Sequence, residues 1–170
     1  PGAATGDSTF VAAAGSSINA GAGALSLTFD STDLNATSSL AGSGGTLTIQ
    51  PVDATTSIGL GGGTGELNLS DDELATLQDG FTSITIGDTA AGTGTVNITT
   101  ATFTDPVTIS GGTINDNSGT DISAGTNSVT LDGTVAPGQS PGILAITGNF
   151  AFANNAAFAV EIGGITPGTT

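Results

Sequence analysis

The sequence predicts an all-β fold, a β-solenoid of stacked coils interrupted by one short helix near residues 70–79. Three observations carry this reading. Apolar residues alternate with Ser, Thr and Asn in short runs, glycine clusters separate the runs, and the runs recur about every twenty residues. A β-sandwich of the same strands is the alternative, although sandwiches more often show turn signals every 8–12 residues or so.

Taken in chain order, Leu25, Leu27 and Phe29 are interleaved with Ser26 and Thr28, and Leu47 and Ile49 flank Thr48. Leu67 and Leu69, Ile84 and Ile86, Val96 and Ile98, Val107 and Ile109, Val129 and Leu131, and Leu144 and Ile146 repeat the alternation, as do Phe158, Val160 and Ile162. A period of two places one set of side chains on a buried face and the other in water. The clusters 42–45, 61–63, 92–94, 111–112 and 163–164 mark turns. Leu25 to Leu47 spans 22 residues and Val107 to Val129 another 22, within the range of solenoid repeats. Layers about 4.8 Å apart crowd like side chains over one another, which suits Ala, Ser, Thr, Val and Ile. Eight or so coils at that spacing would make a rod of roughly 38 Å.

The helix signal is Ser70-Asp71-Asp72-Glu73, with the Ser-x-x-Glu spacing of a capping box and carboxylates where the helix dipole favours them. Leu74 and Leu77 fall on one face, and Gly80 is placed to end the helix. The carboxylates here read as capping and solvating groups. Loop-like ends and the lack of an initiator Met suggest a piece of a longer chain.

Charge narrows the function more than any motif does. The 170 residues hold 15 carboxylates and no Lys, Arg or His, so the formal net charge is −15. Nucleic-acid binding needs cations that displace counterions from phosphates, which argues against DNA, RNA and anionic membranes as partners. Without His, Cys or Lys there is no nucleophile triad, no ordinary zinc site and no Schiff base. No apolar run is long enough for a spanning helix, so no direct membrane insertion is expected.

Specific strings add a resemblance. The segments T-L-T-I-Q-P-V-D-A-T-T-S-I-G-L-G-G-G (46–63), L-N-L-S-D-D-E-L-A-T-L-Q-D-G-F-T-S-I-T-I-G (67–87) and F-T-D-P-V-T-I (103–109) are similar to segments of filamentous-haemagglutinin-like and autotransporter-like β-strand-repeat surface proteins, the giant secreted proteins of cyanobacteria and other Gram-negative bacteria. G-T-V-A-P-G-Q-S-P-G-I-L-A-I-T-G-N-F (133–150), followed by F-A-V-E-I-G-G (158–164), resembles the strand-repeat element near the end of autotransporter passengers. The resemblance covers 46–164 and implies that this stretch is a solenoid repeat region, a right-handed parallel β-helix in an extracellular or cell-surface adhesin, matrix or fibre protein; it leaves the amino-terminal strands over 1–45 unassigned and 165–170 as a loop or linker, and it transfers no catalytic residue. Asp88 stands after Ile84-Thr85-Ile86-Gly87 where related segments often carry a cation, so a contact made by that cation is in doubt here.

Calcium is the one cofactor the composition invites, because hard oxygen donors are abundant. The best local cluster is Asn115, Asp116, Asn117 and Asp121, although the EF-hand spacing is missing and an Asx-rich turn explains the same residues. A glycosidase would need two placed carboxylates, for which Asp71, Asp72, Asp105, Asp116 and Asp121 are the candidates. The absence of Trp, Tyr and cations to hold a sugar argues against that activity. Phe150, Phe152 and Phe158 read as core stacks. Asn35, Asn68 and Asn97 fit the glycosylation pattern and are expected to be unmodified.

The leading expectation is a non-enzymatic extracellular structural module that needs no cofactor. It would form a homo-oligomer or fibre by end-to-end or strand-exchange contacts. The alternative is a calcium-dependent adhesion domain that recognises carbohydrate or a surface protein.

Overall fold

Parallel strand pairing between Thr9 and Phe158, most of it at one-coil offsets, makes a β-solenoid of about six turns with one short helix in the computed structural model. The structure describes residues 8–90, 92–116, 121–137 and 143–159, with Asp121 described by its backbone alone. The strands are β1 (Thr9–Ala12), β2 (Ser17–Asn19), β3 (Ala24–Thr28), β4 (Ser31–Leu34), β5 (Ser39–Ala41), β6 (Thr46–Gln50), β7 (Ile58–Leu60) and β8 (Leu67–Leu69). After helix α1 (Asp71–Leu74) come β9 (Ser83–Ile86), β10 (Thr95–Ile98), β11 (Ala101–Thr102), β12 (Val107–Asp116), β13 (Asp121–Ala136), β14 (Ala145–Phe152) and β15 (Ala157–Phe158).

The pairings resolve into three stacks. The first runs β3, β6, β9, then the amino-terminal part of β12, the middle of β13 and the carboxy-terminal part of β14. Its inward columns are Leu25, Leu47, Ile84, Val107, Val129 and Phe150, and Leu27, Ile49, Ile86, Ile109, Leu131 and Phe152. From Leu47 to Leu131 these side chains are at most 2% exposed. Between them, Thr48, Thr85, Thr108 and Thr130 stack on the outside, so the period-two alternation predicted from the sequence is carried through four layers. The second stack holds β8, β7, β10, the end of β12, the end of β13 and β15, with β1 paired to β4 before it. The third holds β2 and β5, the bridge between Leu40 and Leu77, and β11 with the starts of β13 and β14.

One buried cluster extends from Ala12 to Val135, and the pairs β1–β4 and β2–β5 stack within residues 1–45. Residues 165–170 lie outside the described residues. β12 and β13 each turn a corner, and their pairing shifts between Ser110 and Thr113 where Gly111 and Gly112 sit. Corners elsewhere are closed by Asx turns, in which Asn19, Asn35, Asp53 and Asp88 accept the backbone N–H two residues on.

The coil containing β6 departs from the regular period. Leu47 pairs with Ile84, 37 residues on, because the chain forms both β7 and β8 before closing the turn. These strands are parallel at an offset of nine residues, Ile58 opposite Leu67, where parallel neighbours ordinarily need a connection of a dozen residues or more. Gly61 and Gly62, at φ of 56° and 88°, supply the reversal. About six turns at ~4.8 Å make roughly 29 Å, fewer and shorter than the eight coils and roughly 38 Å expected, and the 15 residues that β8 and its turns add to this coil account for less than one of the two missing coils.

The helix has the predicted capping box in both directions, Glu73 N–H to Ser70 Oγ at 3.3 Å and Ser70 N–H to Glu73 Oε2 at 2.9 Å. It is a single turn, shorter than 70–79. Thr76 Oγ1 donates to the Glu73 carbonyl at 2.7 Å, Ala75 is the C-cap, and by Leu77 the chain has rejoined the third stack. Leu74 and Leu77 are buried together as their spacing predicts.

Candidate functional site

With no cation in the chain, a buried carboxylate must find its hydrogen-bond donors elsewhere, and the backbone supplies them. Asp30 is 8% exposed and lies between two coils: Oδ2 accepts from Ser8 N–H at 3.2 Å and Oδ1 from Val52 N–H at 3.2 Å. Asp105, 4% exposed, accepts from Gly80 N–H through both oxygens at 3.2 Å and from Phe81 N–H at 3.1 Å. Glu73 divides its oxygens, Oε2 to the helix cap and Oε1 to Leu34 N–H at 3.1 Å. Each of these side chains ties a turn to a segment 22 to 39 residues away. They act as clamps between coils.

The sequence contained a signal for these clamps that composition arguments missed. Asp30 stands one 22-residue period after Ser8 and one before Val52, and Asp105 stands 24 residues after Phe81. An acidic residue one coil period from a turn is thereby placed beside that turn's unpaired N–H groups.

The candidate calcium cluster is arranged differently from a turn. Asn115 and Asp116 are the last two residues of β12, and adjacent strand residues face opposite ways. Asn115 is half-buried and donates through Nδ2 to Asn97 Oδ1 at 3.3 Å, while Asp116 is buried opposite Ile98. Asn117 and the side chain of Asp121 lie outside the described residues. Among the described residues, no three of Asp, Glu, His or Cys are grouped closely enough to hold a metal ion.

Of the candidate acids for sugar cleavage, Asp71 and Asp72 are exposed on the helix turn, Asp105 is the buried clamp, and Asp116 is buried in the strand stack. None of these four lines the open groove of about 310 Å³ on the corner between the first and second stacks. That groove carries Asp88, Ser110, Asp132 and Asn155, with Ser110 Oγ donating to the Asp88 carbonyl at 3.1 Å. Its floor is backbone and small side chains, Gly92, Gly111 and Gly133 among them. The sequence reading did not single it out, because its two carboxylates are 44 residues apart and meet only through coil stacking.

Phe150, Phe152 and Phe158 correct the reading of them as buried core. Their positions are inward, opposite Val129, Leu131 and Val135, yet the side chains are 43%, 42% and 50% exposed. They belong to the last described layer, which has a layer beneath it and none paired above it among the described residues. Their rings cluster, with centroids 4.8 Å apart for Phe150 and Phe152 and 5.9 Å for Phe152 and Phe158. At the other end Phe10 stacks on Phe29 at 5.4 Å. The glycosylation-pattern residues are engaged in corner and ladder contacts: Asn68 donates to the Gly63 carbonyl, Asn97 to the Thr64 carbonyl, and Asn35 accepts from Thr37. Residues 138–142 and 160–164 of the strand-repeat strings lie outside the described residues.

No family model, curated protein or solved structure matches this chain.

Proposed function

We propose that this chain is a non-enzymatic structural module of an exported surface or fibre protein, a rod whose role is to extend and to carry load between its ends. The observation that carries this reading is the use made of the buried carboxylates. Asp30, Asp105 and Glu73 are occupied in joining one coil to the next by accepting from backbone N–H donors. The resemblance of 46–164 to filamentous-haemagglutinin-like strand-repeat proteins agrees with this reading and supports placement outside the cell. Incubation with a panel of polysaccharides is the test: no reducing ends are expected, and reproducible release of them would overturn the proposal.

A calcium-dependent adhesion domain is the second reading, and the groove holding Asp88 and Asp132 is the observation that favours it. Melting temperature separates the two. A structural rod of net charge −15 gains equally from CaCl2 and NaCl at matched ionic strength, because both screen self-repulsion. A specific site gives an additional shift with calcium that a chelator removes.

A further inference from the structure

We propose that Asn35 is an acceptor site for an asparagine-linked sugar, presented by the folded chain to a glycosyltransferase that uses a phosphate-activated sugar. The proposal reverses, for this one residue, the expectation that the acceptor patterns stay unmodified. It also goes beyond the structural reading, which gives the rod no covalent modification.

The chain holds three Asn-x-Ser/Thr patterns, Asn35-Ala36-Thr37, Asn68-Leu69-Ser70 and Asn97-Ile98-Thr99. Sequence treats them alike, and the fold separates them. Asn68 lies in β8 and Asn97 in β10, each half-buried beside a buried residue, Leu69 and Ile98. Their amide nitrogens, the atoms to which a sugar is joined, are already engaged: Asn68 Nδ2 donates to the Gly63 carbonyl at 2.6 Å, and Asn97 Nδ2 to the Thr64 carbonyl at 2.6 Å. Ser70, the hydroxyl of the Asn68 pattern, is held in the helix cap by Glu73.

Asn35, Ala36 and Thr37 are all exposed, in the corner between β4 and β5. That corner has a described neighbour on each side, since Asn35 N–H donates to the Ala12 carbonyl and Leu34 N–H to Glu73 Oε1. Its exposure is therefore to the side of the rod, independent of what lies beyond either end. A surface position of this kind is where a bulky, hydrated sugar is tolerated.

The corner also prepares the amide. Asn35 Oδ1 accepts from Thr37 N–H at 3.0 Å and from Thr37 Oγ1 at 2.8 Å, and Thr37 Oγ1 is fixed in turn by Gly15 N–H at 3.0 Å. Among the described residues Asn35 Nδ2 has no partner, so the oxygen is bonded and the nitrogen is left open. Two donors on Oδ1 stabilise the charge that gathers on that oxygen as Nδ2 loses a proton. The same pair of bonds is made at Asp53, where Thr55 N–H and Thr55 Oγ1 reach Oδ1 at 2.9 and 2.7 Å and hold the carboxyl below its ordinary value. In the transfer, Asn35 Nδ2 forms a bond to the anomeric carbon of the sugar while the bond from that carbon to a phosphate oxygen breaks. The phosphate leaves with the electron pair, and the Nδ2 proton passes to a base of the transferase.

The test uses the full folded chain, a soluble transferase specific for Asn-x-Ser/Thr and a nucleotide-activated hexose, under conditions that modify a peptide of residues 30–40. Intact mass and mapping with a protease that cleaves at acidic residues give the readout, since the chain has no basic residue to cut at. A single hexose on Asn35 is expected. Asn35→Gln should abolish it with circular dichroism unchanged, and Thr37→Ala should reduce it to a trace, whereas Thr37→Ser keeps it. No hexose on Asn35 of the folded chain overturns the proposal, as does occupancy of Asn68 or Asn97 equal to that of Asn35. Either failure leaves the structural reading in place, because that reading falls only on the polysaccharide assay.

Discussion

Replacing Asp105 by Ala removes the acceptor of two backbone N–H groups at once. Phe81 is 3% exposed, so its N–H, now 3.1 Å from Oδ2, would be left buried without a partner at a cost of about 2–3 kcal/mol. Gly80 is only half-buried, and water replaces part of its bond, for about 1 kcal/mol. The expected loss is therefore about 3–4 kcal/mol, a large share of the stability of an ordinary domain. Asp105→Asn keeps one carbonyl oxygen but turns an NH2 toward the donors, so it should lose about half as much. Removing one unit of a −15 charge acts the other way, and Asp79→Ala measures that separately, because Asp79 is exposed and should stay within about 0.5 kcal/mol of wild type. Urea denaturation followed by circular dichroism gives the three values. If Asp105→Ala lies within about 0.5 kcal/mol of Asp79→Ala, the clamp contributes nothing and the reasoning fails.

Three further predictions follow from the same geometry. Ile84→Ala opens a cavity between Leu47 and Val107 in a completely buried column and should cost about 2–5 kcal/mol by urea denaturation; a cost below about 1 kcal/mol would mean the coils do not stack as described. Gly61→Ala should prevent the β7–β8 reversal, because φ is 56° and a β-carbon would overlap the Thr100 carbonyl oxygen; a melting temperature equal to wild type would contradict the turn. The Asp53 carboxyl is held below its ordinary 3.8 by the backbone N–H of Thr55 and then by the Thr55 hydroxyl, so its NMR titration midpoint should fall below 3.8 and move upward in Thr55→Ala. The sign for stability follows from the depressed value: the contribution of this turn is present above about pH 3.8 and is lost as pH falls through the folded midpoint. A midpoint at or above 3.8 would contradict it.

How far the sequence revealed this molecule differs from part to part. The columns were legible because Leu25, Leu47, Val107 and Val129 repeat at one-coil spacing with Thr or Ser between apolar neighbours. The capping box was legible because its geometry is local to four residues. The thirty-seven-residue coil was hidden, since β8 looks like any other alternating run and nothing local says that it lies beside β7. Phe150, Phe152 and Phe158 were correctly placed on the inward face, but burial also depends on what lies above a layer, which periodicity does not encode. The clamps at Asp30 and Asp105 and the groove joining Asp88 to Asp132 depend on residues a coil or more apart, and emerge only once the coil period is known.

Amide hydrogen exchange tests the central claim most directly, that carboxylates join coils into a rod. The account predicts slow exchange at Leu34, Val52, Gly80 and Phe81, whose N–H groups donate to carboxylates from other segments, compared with Thr55 and Ala90, which donate within exposed corner turns. Equal exchange in the two sets would contradict it.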